Sequence, residues 1–166
     1  MLPDEPWLRK CRSEGVMFWS DECEEMGEID FFSEDSGNAD WKDLDYAEEP
    51  SEDDYSAALH SGLADTLEKE RYIRMRLWWC RNDHFLRGGQ SYLSDTHRDN
   101  LECFAALLSD EDDNQRLMKA EVLRHISRFD EALHLLDGNF PEGYSRAVRK
   151  LQELAHLSNS NVAKLE

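Results

Sequence analysis

The sequence predicts a mainly α-helical fold, a stack or bundle of about five helices preceded by a small β-hairpin and a long acidic loop. From Ser51 onward, apolar residues recur every three or four positions, the period of amphipathic helices. Strand-like text is confined to residues 6–19, and residues 28–50 follow neither period. We therefore expect two regions: residues 1–50 with the hairpin and the loop, and residues 51–166 with the helical domain.

The hairpin is predicted from "PWLRKCRSEGVMFW", residues 6–19. Two short apolar runs, Trp7–Cys11 and Val16–Trp19, are separated by "RSEG", a turn-like spacer. Ser20 then has the character of an N-cap, with Glu24 and Glu25 soon after it. We expect a short turn of helix there, ending near Gly27.

Residues 28–50 are predicted to form a long loop, punctuated by Gly37, Asn38 and Pro50. Residues 21–54 contain sixteen Asp or Glu and one Lys, yet the aromatic residues Phe31, Phe32 and Trp41 interrupt them. A plain solvated tail has little use for aromatic side chains. We expect these aromatics to hold the loop against the helices.

The first helical run begins with "SEDD", in which Ser51 is an N-cap followed by acids in the first turn. Tyr55, Leu59, Leu63 and Leu67 then fall on one face, and the pattern continues to about Asp83. Gly62 either bends or splits this run.

Four further helices are predicted at residues 94–110, 112–127, 128–138 and 141–158. Each carries an apolar stripe, and three of them have a start or stop signal: Ser94 for the first, Gly138 for the third and Pro141 for the fourth. Short links between them favour a compact helical stack.

The charge is strongly acidic and unevenly distributed. The net charge is −18, and residues 1–65 hold 20 Asp or Glu against 4 Lys or Arg. Such a charge opposes binding to nucleic acid or to an anionic membrane, and it favours rapid association with a basic protein. The sequence therefore predicts a basic protein partner, no nucleic acid and no membrane.

Localisation is expected to be cytoplasmic. The opening text "MLPDEPWLRKC" lacks the apolar core of a signal peptide, and the four cysteines show no framework spacing.

The sequence shows no catalytic, metal-binding or phosphate-binding motif. The six histidines include no H-E-x-x-H pair, and "RGGQS" lacks the preceding strand and the lysine of a phosphate-binding loop. Acid–base catalysis needs a carboxylate in a desolvated cleft, which no local motif indicates. We expect no enzymatic activity, no catalytic residue, no cofactor and no metal.

Residues 117–143, "LMKAEVLRHISRFDEALHLLDGNFPEG", resemble a degenerate tetratricopeptide unit. Ala120 and Ala132 match the small residues at the close-packed points of its two helices, and "RFDEAL" resembles the entry into the second helix. The last small position is occupied by Asn139. The resemblance implies one tetratricopeptide-like helical hairpin within the helical stack.

Residues 8–30 are similar to the second half of a zinc-ribbon module found in small bacterial proteins that join such a ribbon to tetratricopeptide-like helices. The C-x-x-C knuckle of that module here reads Cys11-Arg12-Ser13-Glu14, so Glu14 replaces the second thiolate. A structural zinc site needs four good ligands. The resemblance implies a retained hairpin without the metal, with a residual site at Cys11, Glu14 and Cys23 as the alternative.

In residues 70–87, "ERYIRMRLWWCRNDHFLR", one helix is expected to carry Arg71, Arg74, Arg76 and Arg81 together with Tyr72, Trp78 and Trp79. Trp78 and Trp79 point about 100° apart, so both cannot face one core stripe. One interpretation is a stacking surface for nucleic acid or a partner. The favoured interpretation is that one Trp is core and the arginines pair with the acidic segment of the same chain. A partly exposed Trp79 would then anchor a protein partner.

The function that these observations favour is non-enzymatic inhibition: an immunity-type or antitoxin protein whose acidic face occludes a basic bacterial toxin, for example a nuclease. The alternatives are a tetratricopeptide-like adaptor or chaperone for a protein partner, and a helical domain with no dedicated partner for its acidic face. The predicted partner-binding residues are Asp40, Trp41, Asp43, Asp45, Tyr46, Glu48, Glu49, Glu52, Asp53 and Trp79.

Overall fold

The computed structural model describes residues 7–27, 46–88 and 93–163. It confirms the predicted fold class, because 60% of the described residues are helical, and these residues form six α-helices and a three-stranded antiparallel sheet near their N-terminal end. Phe31, Phe32, Asp40, Trp41, Asp43 and Asp45, and with them most of the predicted loop, lie outside the described residues.

The sheet consists of β1 (Leu8–Cys11), β2 (Met17–Trp19) and β3 (Ala47–Glu48), in the order β2-β1-β3. The predicted hairpin is therefore present, with Leu8 opposite Trp19. The third strand was not predicted. A strand of two residues gives no periodic signal in the sequence. It nevertheless pairs Glu48 with Lys10 and so satisfies the open edge of β1.

The helix expected after Ser20 is only a single 3₁₀ turn, Ser20–Glu22. Ser20 does not cap it. Instead the backbone N–H and the hydroxyl of Ser20 both donate to the carbonyl of Trp7, at 2.7 and 2.9 Å. A short helical turn is therefore present, but it ends at Glu22 and not near Gly27. The predicted cap was wrong, because the hydroxyl of Ser20 closes the end of the hairpin.

The helices are α1 (Glu52–His60), α2 (Leu67–Leu86), α3 (Asp95–Leu107), α4 (Asp113–His125), α5 (Phe129–Leu136) and α6 (Ser145–His156). Gly62 splits the first predicted run: it adopts φ +85°, and Thr66 caps a new helix by accepting from the N–H of Lys69. The break changes the helical phase. Leu67, expected on the buried stripe, is consequently 74% exposed.

Two hydrophobic cores meet along α2. The first lies between the sheet, α1 and α2 and is built from Leu8, Trp19, Tyr55, Ala58, Tyr72, Ile73 and Leu77. The second packs α2 against α3, α4, α5 and α6, and Trp78 and Phe104 lie within it. The boundary expected at residue 50 falls between β3 and α1, and the first core joins α1 to β1 and β2 across it.

Helices α4 and α5 form the expected hairpin. Ala120 and Ala132 are both fully buried, as close packing of two helices requires. The link contains Ser127 at φ +65°, and the N–H of Arg128 donates back to the carbonyl of Leu123. Gly138 does not supply a left-handed cap. It leaves room for the guanidinium of Arg116, which lies 3.0 Å from where a Cβ would be.

A charged network is sealed inside the second core. Arg124 is fully buried, pairs with Glu121 at 2.7 Å and donates to the carbonyl of Asn161 at 2.9 Å. The Nε1 of Trp78 donates to Nδ1 of His125 at 3.0 Å, and Nε2 of His125 lies 3.1 Å from Glu121. His125 therefore ties α4 to α2, Arg124 ties α4 to the C-terminal turn, and Glu121 supplies the negative charge beside both.

Burial alone would raise the pKa of Glu121, but its interactions with His125 and Arg124 outweigh it and lower the pKa to about 2. A pKa below the unfolded value of 4.5 stabilises the fold above pH 4.5, and the stabilisation is lost as the pH falls towards 2. A shift of this size corresponds to about 3 kcal/mol.

We predict that Glu121→Gln lowers the free energy of unfolding at pH 7 by roughly 2–4 kcal/mol, because it leaves a buried guanidinium uncompensated. Between pH 4.5 and 2 the variant should lose less further stability than the parent. Urea unfolding across this pH range measures both effects. Glu153→Gln, which removes a mostly exposed partner of Lys150, is the matched control and should change stability by less than about 0.5 kcal/mol.

Candidate protein-binding surface

The predicted binding residues that the structure describes lie mostly on one short segment, residues 46–54, here called the acidic edge. It comprises β3, the buried Pro50 and the first turn of α1. Ser51 and Asp54 form a capping box, which fixes where the helix begins. Tyr46, Glu48 and Asp53 are exposed on this edge, and Tyr46 is 64% exposed.

Three other acids of the acidic edge are held by the rest of the chain. Glu49 pairs with Arg76 of α2, and Glu52 contacts Nε2 of His97 on α3 at 2.5 Å. Asp54 accepts from Nζ of Lys10 on β1 at 2.9 Å. The acidic edge is therefore fastened to the sheet, to α2 and to α3 at once.

Asp54 has a pKa lowered to about 2, because the hydroxyl of Ser51 and the ammonium of Lys10 both donate to its carboxylate. The carboxylate stays ionised through the physiological range. It joins β1 to α1 by charge while it also caps the helix.

Arg76 is the centre of the contact between the acidic edge and α2. Its guanidinium lies 5.8 Å from the ring of Tyr55, 6.0 Å from that of Tyr72 and 5.6 Å from that of Trp79. The residue is only 7% exposed, so Glu49 supplies the charge that compensates a desolvated cation.

The arginines of α2 were expected to pair with the acidic segment, and the structure confirms this for Arg76, which pairs with Glu49. Arg74 instead pairs with Glu70 of its own helix at 2.8 Å and donates to Asn100. Arg71 donates to Gln115 of α4 at 3.2 Å. The expectation that one tryptophan of the pair is core is also confirmed, because Trp78 is 8% exposed and Trp79 is only half-buried.

A groove of about 330 Å³ opens between α2 and the turn that joins α3 to α4, and we call it the α2 groove. At its edge Trp7 stacks on Tyr72, with ring centroids 5.3 Å apart and planes 6° apart. The groove is lined by Trp7, Glu68, Arg71, Tyr72, Met75, Arg76, Trp79, Phe104, Leu108, Asp112, Asn114, Gln115 and Met118.

Trp79 thus joins the two features. One side of it meets Arg76, which holds the acidic edge, and the side chain also lines the α2 groove. Sequence reasoning found Trp79 through the Trp78–Trp79 pair, but it missed the α2 groove, because Phe104 and Met118 come from helices distant in the chain.

A smaller cavity, about 70 Å³, lies between α2, α3 and the C-terminal turn and is bordered by His97 and His125. The N–H of Trp78 occupies Nδ1 of His125, and Glu121 lies against its Nε2. Nδ1 of His125 is therefore engaged in holding the core, whereas Nε2 lies within ion-pair distance of Glu121 without the geometry of a hydrogen bond.

Cys11, Glu14 and Cys23 were the residues of the alternative metal site. Within residues 7–27, 46–88 and 93–163, no group of three or more His, Cys, Asp or Glu side chains could hold an ion. Cys11 lies 3.4 Å from the hydroxyl of Ser13, and Cys23 donates to the carbonyl of Trp19 at 3.4 Å. All four cysteines are free thiols.

Comparison with known proteins adds no relative. No protein-family model, no curated protein and no solved structure matches this chain. None of the described helices is long and apolar enough to cross a membrane. The fold and these surfaces define a mainly α-helical protein with an acidic edge and an aromatic groove.

We predict that Glu49→Ala lowers the free energy of unfolding by roughly 2–3 kcal/mol, more than Arg76→Met does. Glu49→Ala leaves a buried cation unpaired, whereas Arg76→Met leaves a half-exposed carboxylate that water can solvate, and the methionine still packs on the rings. Urea unfolding of both single variants and of the double variant measures the difference.

In the same series, Asp53→Ala serves as the control, because Asp53 is an exposed acid on the same edge, and it should cost no more than about 0.5 kcal/mol. A larger loss for Arg76→Met than for Glu49→Ala would show that ring stacking, and not the ion pair, holds the acidic edge.

Proposed function

We propose that this protein is a non-enzymatic inhibitor of the immunity or antitoxin type, which binds a basic bacterial toxin in the cytoplasm and covers its positively charged cleft. The observation that carries this proposal is the concentration of charge: residues 1–65 hold 20 acids against 4 cations. A field of this sign and size steers a basic partner toward one region of the molecule.

The way the acidic edge is held supports this function. Glu49, Glu52 and Asp54 are tied to α2, α3 and β1, so the backbone that carries Glu48 and Asp53 is already ordered. A partner therefore meets exposed carboxylates on a preorganised support, and binding loses less conformational entropy than it would on an unsupported segment.

A second candidate, a tetratricopeptide-like adaptor that holds a peptide of its partner, is favoured by a separate observation, the α2 groove. Its Met and aromatic lining is typical of surfaces that accept apolar side chains. The two candidates differ in which variants weaken binding: changes on the acidic edge for the inhibitor, and changes in the α2 groove for the adaptor.

We predict that the double variant Glu48→Gln/Asp53→Asn weakens binding to the toxin about three- to tenfold, because each exposed ion pair is worth ~0.2–1 kcal/mol. The affinity of the parent should also fall steeply between 50 and 300 mM KCl, since exposed charges are screened over ~10 Å or less. The partner is first identified by affinity capture at low salt, and titration calorimetry with the purified protein then gives the affinities.

The matched control is Asp99→Asn/Glu102→Gln, which removes the same charge from the exposed side of α3. It should change the affinity less than twofold. An affinity that is indifferent both to salt and to the acidic-edge variant contradicts the inhibitor, and loss of binding only in α2 groove variants would select the adaptor.

A further inference from the structure

We propose that the α2 groove binds an apolar side chain of a partner segment that carries Lys or Arg next to it. This inference rests on the proposed function only in expecting a basic partner, and it adds the chemistry of the contact. The segment would place its apolar residue between α2 and the α3–α4 turn and its cations at the mouth of the groove.

The floor of the α2 groove is suited to an apolar side chain. The partly exposed Met75, Trp79 and Met118 line it together with the fully buried Phe104, and none of them offers a charge. Methionine adapts its shape to an incoming group, and a half-buried tryptophan gives a rigid contact area. A volume of about 330 Å³ is at the small end of ligand pockets, which fits one or two side chains.

The mouth of the α2 groove is suited to cations. Glu68 on α2 and Asp112 at the start of α4 both line it and are both exposed, and the exposed Glu111 adjoins Asp112. Of the two arginines of the lining, Arg76 is buried and compensated by Glu49, and Arg71 is half-buried and donates to Gln115, so three exposed acids lie near one partly buried cation. The charges accessible to a partner at this mouth are therefore chiefly negative.

Other occupants fit these charges less well. An acidic segment would be repelled by Glu68 and Asp112 and by the net charge of −18 on the whole chain. A second copy of the chain also carries a net charge of −18, so the two copies repel each other. An apolar segment flanked by cations satisfies both the floor and the mouth.

The test uses three fluorescein-labelled peptides of ten residues and fluorescence anisotropy at 100 mM KCl. The first peptide carries a central Leu-Leu pair with two Lys on each side. The second replaces the leucines with Ser, and the third replaces the lysines with Glu. We expect the first peptide to bind at least tenfold more tightly than either of the others. Equal binding of the first two would show charge attraction alone and would overturn the proposal, as would preference for the acidic peptide.

Two changes in the protein localise the binding. Glu68→Gln/Asp112→Asn removes the charges of the mouth but keeps the cap of α4, because Asn accepts the N–H of Gln115 as Asp does. We expect about tenfold weaker binding of the Leu–Lys peptide. Met118→Gln keeps the length and helix propensity of the floor residue and should also weaken binding about tenfold.

The control for the mouth is Asp137→Asn/Glu142→Gln, two exposed acids outside the α2 groove, which should leave the affinity within twofold. If this control weakens the binding as much as the mouth variant does, the peptide follows the net charge and the proposal fails. If Met118→Gln does not fold, as circular dichroism would reveal, the mouth variant and its control still decide the outcome.

The same variants separate this inference from the proposed function. A toxin whose binding depends on salt and on Glu48 and Asp53, but not on Glu68, Asp112 or Met118, would support the inhibitor and overturn the groove. Peptide binding that depends on the groove residues, without any basic partner whose binding depends on the acidic edge, would support the groove proposal and contradict the inhibitor.

Discussion

Helix α2 has to be covered on two sides, and the rest of the structure depends on this constraint. Its 20 residues span about 30 Å, and they carry Tyr72, Ile73 and Leu77 toward one side and Trp78 toward another. No single neighbouring helix can bury both sides. The sheet with α1 covers the first side and the bundle α3–α6 covers the second, so two hydrophobic cores share one helix.

The charged groups buried beside α2 connect these cores to their surroundings. Arg76 brings the acidic edge against the first core. His125 joins α4 to α2 through Trp78, Arg124 joins α4 to the C-terminal turn, and Glu121 pairs with both residues. Each group is desolvated and therefore requires its partner, so each is costly to break. Such pairs contribute more to the choice of one arrangement than to its net stability.

The two surfaces proposed for binding differ in what they contribute. The acidic edge supplies charge on an ordered backbone, which accelerates encounter with a basic protein and responds to salt. The α2 groove supplies apolar and aromatic area, which slows dissociation once a side chain is inserted. Trp79 lies between them, because it packs on Arg76 and also lines the groove. One partner could therefore use both surfaces.

The sequence by itself determined the helical class, the hairpin, the helix starts at Ser51 and Ser94 and the concentration of acid, because capping, periodicity and charge are local properties. Tertiary structure alone decided the rest. Strand β3 forms because the edge of β1 needs a hydrogen-bonding partner. Ser20 does not cap a helix, because its hydroxyl donates to the carbonyl of Trp7. The α2 groove is lined by residues from helices that are far apart in the chain, and no local sequence pattern predicts which of these side chains lie together.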